Sequence, residues 1–341
     1  MSLLVSRQIL AQKPFRLARP LATALLLLFA CLVLAVYALG SGTLQLSAAQ
    51  VIDALRGEGP TNLVVIVTQW RLPRVAMALL LGAALGLSGA IFQSLLRNPL
   101  GSPDVIGFNT GAYSGVLVAI VLFNSSVIGI TSGALAGGLL TAGVVYLLAW
   151  SNGVETFRLI IVGIAVRALL LAANTWMIIS ASLEASMTAG LWYAGSLNGI
   201  TWAKSLPVLA VLLLALLVLL TLTRRMRLLE MGDDTACALG VGVERSRLLL
   251  LLVGVILTAA ATAVAGPISF IALVAPQIAR RLCANQHVLL LTALTGALLL
   301  LAADVAAQRL FMPYQLPVGV LTVSIGGIYL IWLLIRESRK K

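Results

Sequence analysis

The chain has 341 residues, of which 61% are hydrophobic and only 10% charged, with a mean hydropathy of +1.08. A soluble domain carries about 25% charged residues, so a soluble enzyme, a secreted disulfide scaffold and a disordered chain are all excluded. The net charge of +12 forms no basic stripe on a soluble face, which removes nucleic acid as a partner and leaves Lys and Arg to report membrane topology. The composition predicts an all-α polytopic membrane protein, with residues 1–341 as one transmembrane domain.

In chain order, the first 20 residues hold Arg7, Lys13, Arg16 and Arg19 and no acid, and the apolar run Leu21–Gly40 follows. A signal-peptide core spans about 7–15 residues. This run is long enough to cross a bilayer, so it is read as the first helix. The next spans are Pro73–Leu96, Asp104–Phe123, Val127–Trp150, Phe157–Ser182, Ser205–Leu222, Arg247–Ala265, a short Ser269–Leu282, His287–Ala307 and Leu316–Ile335. Ten spans place both termini on one side. Of the 23 Lys and Arg, only Arg56, Arg71, Arg74, Lys204 and Arg309 fall on the other side, and Arg167 lies within a span. The positive-inside rule then makes the termini cytoplasmic.

Arg71 and Arg74, in RLPR, sit at the predicted outer mouth of span two. They either snorkel beside Trp70 or form an acid-binding patch. Glycines and alanines three and four apart, as in GAALGLSGA (82–90), predict close helix packing in lipid. A repeat at an offset of 177 residues pairs Gly89 with Gly266 and Pro99 with Pro276. The two copies run in opposite directions, the inverted arrangement of many transporters. Arg167 lies about 15 Å into span five, with Asn174 on the same helical face; it is either a structural pair or a cationic contact for an anionic cargo. The loop 223–247 contains a short helical stretch, Asp233–Leu239, stopped by Gly240. It is either an interfacial helix or a docking segment for a cytoplasmic partner.

Some chemistry is absent from the sequence. No GxxxxGK[ST] loop exists to bind ATP. Cys31, Cys237 and Cys283 are widely spaced, and the single His287 supports neither a metal site nor a catalytic triad. The chain is therefore read as a non-enzyme that binds no cofactor. Asp304 is the only acid well inside a predicted span, which weakens the alternative of an ion-coupled secondary transporter.

RLPRVAMALLLGAALGLSGAIFQSLLRNPLGSPDVIGFNTGA (71–112), EMGDDTACALGV (230–241), AGPISFIALVAPQIARRL (265–282) and QLPVGVLTVSIGGIYLIWLL (315–334) resemble, in order, the iron-chelate and vitamin B12 importer permeases. NPLGSPDVIGFNTGA, LWYAGSLNG and FMPYQLPVGV are most similar to the members that import ferric enterobactin. The resemblance implies an inner-membrane permease subunit moving a ferric siderophore from periplasm to cytoplasm. Its implied partners are a second, homologous permease chain, two copies of an ATPase that consumes ATP, and a periplasmic binding protein. It also implies docking of the binding protein on Arg71 and Arg74, with Arg309 one position from the expected spacing of a third arginine. It implies ATPase coupling through Met231, Gly232, Asp233, Ala236, Leu239 and Gly240, and a pathway lined by spans five and ten, hence by Arg167 and Asn174. Gln277 stands where the family has a histidine.

Overall fold

The computed structural model describes residues 13–123, 127–151, 156–283, 289–311 and 314–338; His287 lies outside them. Apolar runs become helices because a bilayer offers the backbone no water, so each N–H and C=O must be satisfied within its own segment. The helices are α1 (Lys13–Gly40), α2 (Ala48–Leu55), α3 (Thr61–Val65), α4 (Leu72–Leu95), α5 (Pro103–Ile106), α6 (Phe108–Leu117), α7 (Val127–Ala149), α8 (Thr156–Ser180) and α9 (Leu183–Tyr193). They continue with α10 (Trp202–Glu230), α11 (Asp233–Ala238), α12 (Val243–Ala265), α13 (Ile271–Leu282), α14 (Leu289–Arg309) and α15 (Val318–Ser338). Among the described residues, seven helical runs are long and apolar enough to cross a membrane, and two shorter apolar helices, Phe108–Leu122 and Val318–Trp332, join them. With the 12-residue α13, the ten expected crossings are accounted for.

Several boundaries differ from the sequence reading. Span two is longer than expected: α3 passes through a π-helical turn, Ile66–Arg71, straight into α4, giving a 35-residue run from Thr61 to Leu95. Span six extends as α10 well past Leu222, and α2 and α9 were not foreseen.

Span three keeps its expected bounds, as α5, α6 and a π-helical turn ending at Leu122 with a left-handed break at Gly107, but the stretch before it is not a helix. Two prolines and a glycine in NPLGSP prevent one from forming. The segment instead climbs along α13. The Gln277 Nε2 donates to the Pro99 carbonyl at 2.9 Å and the Gln93 Nε2 to the Leu273 carbonyl at 3.0 Å. At the top, Asp104 accepts the backbone N–H of Phe270, the N-cap of α13. Twelve helical residues rise about 18 Å, so Asp104 sits deep in the bundle, a second acid at membrane depth beside Asp304. Non-helical backbone is tolerated there because protein, rather than lipid, surrounds it.

α4 lies at the centre, packed on α12, α13 and α14. Its glycines permit backbone contact: a Cβ at Gly82 would overlap the Gly296 carbonyl of α14, and one at Gly89 the Ala272 carbonyl of α13. A second close pair joins α6 to α7 through Gly111, Gly115, Gly133 and Gly137.

Candidate functional site

At the predicted outer end, the four RLPR residues close the π-helical turn and open α4. Arg74 is not a free cation. Its Nη2 and Nε donate to the Asp304 carboxylate at 2.8 and 2.9 Å, and its Nη1 donates to the Asn198 Oδ1 at 2.5 Å. One turn along α14, the Gln308 Nε2 donates to the same carboxylate at 2.8 Å. Asp304 is 1% exposed and the Arg74 side chain 18%. Asn198 is placed by a turn that threads between backbones. Gly195, at φ +68°, accepts the Gly319 N–H at 3.0 Å, and Ser196 donates to the Ala265 carbonyl at 2.7 Å. The clamp thus joins α4, α14 and the loop after α9.

Arg71 donates to the carbonyls of Leu39 and Leu44 at 2.7 and 2.6 Å. These carbonyls satisfy its donors without neutralising its charge. Arg309 donates from Nε to the Ser41 Oγ at 2.6 Å and lies near enough to Arg71 for the two charges to act on each other. Beside it, a cavity of about 390 Å³ is lined by Tyr37, Ser41, Gln45 and Arg309, among others. The structure therefore brings Arg71 and Arg309 together at one mouth and commits Arg74 to an internal bond.

At the opposite end, glycines flank α11. Gly232 has φ +114° and Gly240, the expected stop, has φ +78°. Asp233 opens the helix, where a carboxylate suits the N-terminal partial charge. Its Oδ1 accepts from Arg97 Nη2 at 2.5 Å and its Oδ2 from Arg247 Nη2 at 2.9 Å. Partial burial pushes the Asp233 carboxyl up, but Arg247 and Arg97 outweigh that and hold it below the ordinary carboxylate range. Arg97 also donates to the Leu229 carbonyl at 3.0 Å, and Arg247 to Glu244 at 3.1 Å. Alongside, Arg280 donates to Gln93.

Ala236 is fully buried in its own bundle, because the small side chain lets α11 lie flat on the helices beneath. The outward side chains include Met231 and Leu239, 65% and 58% exposed.

Midway, the Arg167 backbone stands over Gly107, the left-handed break between α5 and α6. Its side chain reaches the surface and its charge acts on Asp104. Asn174 is on the same face, as the spacing predicts, but buried, and its Nδ2 donates to the Thr110 carbonyl at 3.5 Å. Asp104 also accepts from Asn109, whose Oδ1 lies 3.0 Å from the Thr262 hydroxyl. Gln277 satisfies the Pro99 carbonyl.

Sequence reasoning missed Asp304, Asn198, Gln308, Arg97, Arg247 and Asp104 as partners. The Asp304–Gln308 spacing of four and the Glu244–Arg247 spacing of three, each on one helix, carried a local signal.

The arrangement has two charged ends joined by one central helix. The ferric enterobactin transport system permease protein FepG of Escherichia coli (strain K12) is 65% identical over 95% of this chain and 98% of its own length. The achromobactin transport system permease protein CbrC of Dickeya dadantii (strain 3937) is 38% identical over 92% of this chain and 90% of its own. A solved structure described as an inward-facing conformation of a metal-chelate type ABC transporter superposes with a TM-score of 0.81 at 29% identity, covering 93% of this chain and 99% of that one. Residues 27–336 match the FecCD transport family, and with these relatives and this all-helical architecture the chain belongs to that family.

Proposed function

We propose that this chain is an inner-membrane permease subunit of an ATP-driven importer whose cargo is ferric enterobactin. The observation that carries the reading is the 65% identity to the ferric enterobactin permease over nearly the full length of both chains. In this reading a periplasmic binding protein docks on the mouth formed by Arg71 and Arg309, with Arg74 holding that mouth in shape through Asp304. An acidic surface on the binding protein complements the two cations. One of the two ATPase copies seats against Met231, Gly232, Leu239 and Gly240, with Asp233 and Ala236 fixing the segment from behind. A second, homologous permease chain completes the path against the bare faces of α8 and α15, with Arg167 exposed on α8 and Asn174 buried behind it. Both termini are cytoplasmic, consistent with the distribution of Lys and Arg.

The cargo is an anion, and the chelator already fills the coordination shell of its iron, so the permease has no need of metal ligands. The ion-coupled alternative is disfavoured because Asp304 is held by Arg74 and Gln308, and Asp104 by Asn109 and the Phe270 N–H, which leaves neither acid as an open ion site.

The test is growth and uptake. A strain lacking this chain should lose growth on ferric enterobactin as sole iron source and keep growth on a hydroxamate chelate. Uptake in the complemented strain should fail when the ATPase is inactivated. Uptake that survives ATPase loss and collapses with the proton gradient would overturn the reading.

A further inference from the structure

Arg97 is one of two described residues other than glycine with positive φ, at +46°. It sits just beyond α4, where a helix commonly ends in the left-handed region and glycine is the favoured residue. A side chain is strained in that backbone conformation, so the backbone alone argues for glycine here. The guanidinium accounts for the arginine: it donates to Asp233 at the start of α11 and to the Leu229 carbonyl just before it. Arg247 holds the other Asp233 oxygen from α12. The α11 segment is thus tied by charge to the inner end of α4. The same helical run carries Arg71 just before α4, with 24 residues of α4 between them, about 36 Å of helix.

We propose that Arg97 is a positioning residue that couples the ATPase-docking segment to α4, so that docking at the outer mouth is felt at the ATPase through one continuous helix. It touches neither ATP nor cargo. The proposal rests on the reading that 231–240 seats the ATPase. Its physical warrant is a rigid element fixed at both ends to groups that meet partners, rather than mere intermediacy between two sites.

The informative substitution is Arg97→Gly, because glycine relieves the backbone strain while it removes the ion pair. The complete importer, reconstituted in nanodiscs, is assayed for ATPase copurification, basal hydrolysis, and stimulation by binding protein loaded with ferric enterobactin. Arg97→Gly should keep the ATPase and the basal rate and lose at least about fivefold of the stimulation, the low end of coupling between distinct sites. Arg97→Lys, which keeps the charge, should recover part of it. An unchanged ratio of stimulated to basal rate in Arg97→Gly would overturn the proposal. So would loss of the ATPase from that variant, which would make Arg97 a plain anchor, or a lysine variant no better than the glycine one. Leu239→Arg separates the two readings. An ATPase retained there would overturn the docking reading and the coupling with it, whereas loss there beside normal stimulation in Arg97→Gly would overturn the coupling alone.

Discussion

Replacing Arg74 by methionine should destabilise the subunit more than it disturbs docking. The substitution strands the Asp304 carboxylate, which is 1% exposed, with only the Gln308 amide still donating to it among its side-chain partners. Breaking a buried ion pair from one side costs about 3–5 kcal/mol. Arg74 retains some access to water, which places the cost at about 3 kcal/mol, still a large share of the 5–15 kcal/mol typical of a folded domain. Asp304→Leu leaves the guanidinium its bond to Asn198 and some water, so its cost should be smaller, about 1.5–3 kcal/mol for lost charged hydrogen bonds. In the double variant neither charge is stranded, and replacing a buried pair by apolar groups is often neutral. The double variant should therefore be more stable than Arg74→Met alone. The assay is the midpoint of thermal unfolding of detergent-purified complex, read as the surviving monodisperse fraction after heating. Additive losses, with the double variant the least stable of the three, would refute the clamp. Charge reversal at Arg74 would set two carboxylates together and report on assembly before it reported on docking.

Reversing Arg71 and Arg309 together to glutamate should abolish stimulation by the binding protein while assembly and basal hydrolysis persist; normal stimulation would remove the pair from the docking surface. Met231→Arg with Leu239→Arg should release the ATPase without shifting the thermal midpoint, and Ala236→Arg should lower that midpoint as well, because Ala236 is buried; equal behaviour of the two variants would contradict the assigned faces. Arg167→Met should express well, since removing an intramembrane charge saves at least about 2.5 kcal/mol of insertion cost, and should slow ferric enterobactin uptake; unchanged uptake would take Arg167 out of the path. The depressed Asp233 carboxyl contributes stability above its unfolded value, about 3.8, which is lost only as the pH falls through the lower folded value, so ATPase recovery should be flat from about pH 5.5 to 8; a fall within that window would count against the two-arginine anchor.

Much of this was legible in the sequence because membrane helices announce themselves locally. The apolar runs set the ten crossings, Gly240 stops a short helix where a left-handed residue is needed, and the small-residue rows mark where α4 meets α13 and α14. The pairing of Arg74 with Asp304 was not legible, since it joins residues 230 apart and neither motif contains the other's partner. An outside cation reads as available until tertiary structure supplies its acid. Ala236 shows a different limit: a small residue signals close approach without saying whether to the chain's own bundle or to a partner. The climb of NPLGSP into the membrane was hidden for a third reason. Proline and glycine mark a loop, and loops are expected at the surface unless protein elsewhere satisfies their carbonyls, as Gln277 does.

That last feature constrains how the subunit can move. The polar groups of the irregular stretch in the first half are met by the second half and the reverse: Asp104 takes the Phe270 N–H, Gln277 serves the Pro99 carbonyl, and Gln93 serves the Leu273 carbonyl. In lipid each such group left unmet costs several kcal/mol, so α4, the climbing segment and α13 have strong reason to stay together. The glycine contact of α4 with α14 and the Arg74–Asp304 clamp add α14 to the same body. α8 and α15 are held differently. Their own side chains bond to the rest only at a distance, Asn174 to the Thr110 carbonyl at 3.5 Å and the Tyr329 hydroxyl to Gln277 at 3.4 Å, whereas the Ser186 hydroxyl holds the Ile178 carbonyl of α8 and the Gly319 N–H of α15 holds the Gly195 carbonyl, each at 3.0 Å. Both helices leave large apolar side chains such as Trp176, Ile179, Ile328 and Ile331 bare. A central body that moves as one is what a link from Arg71 to Arg97 requires.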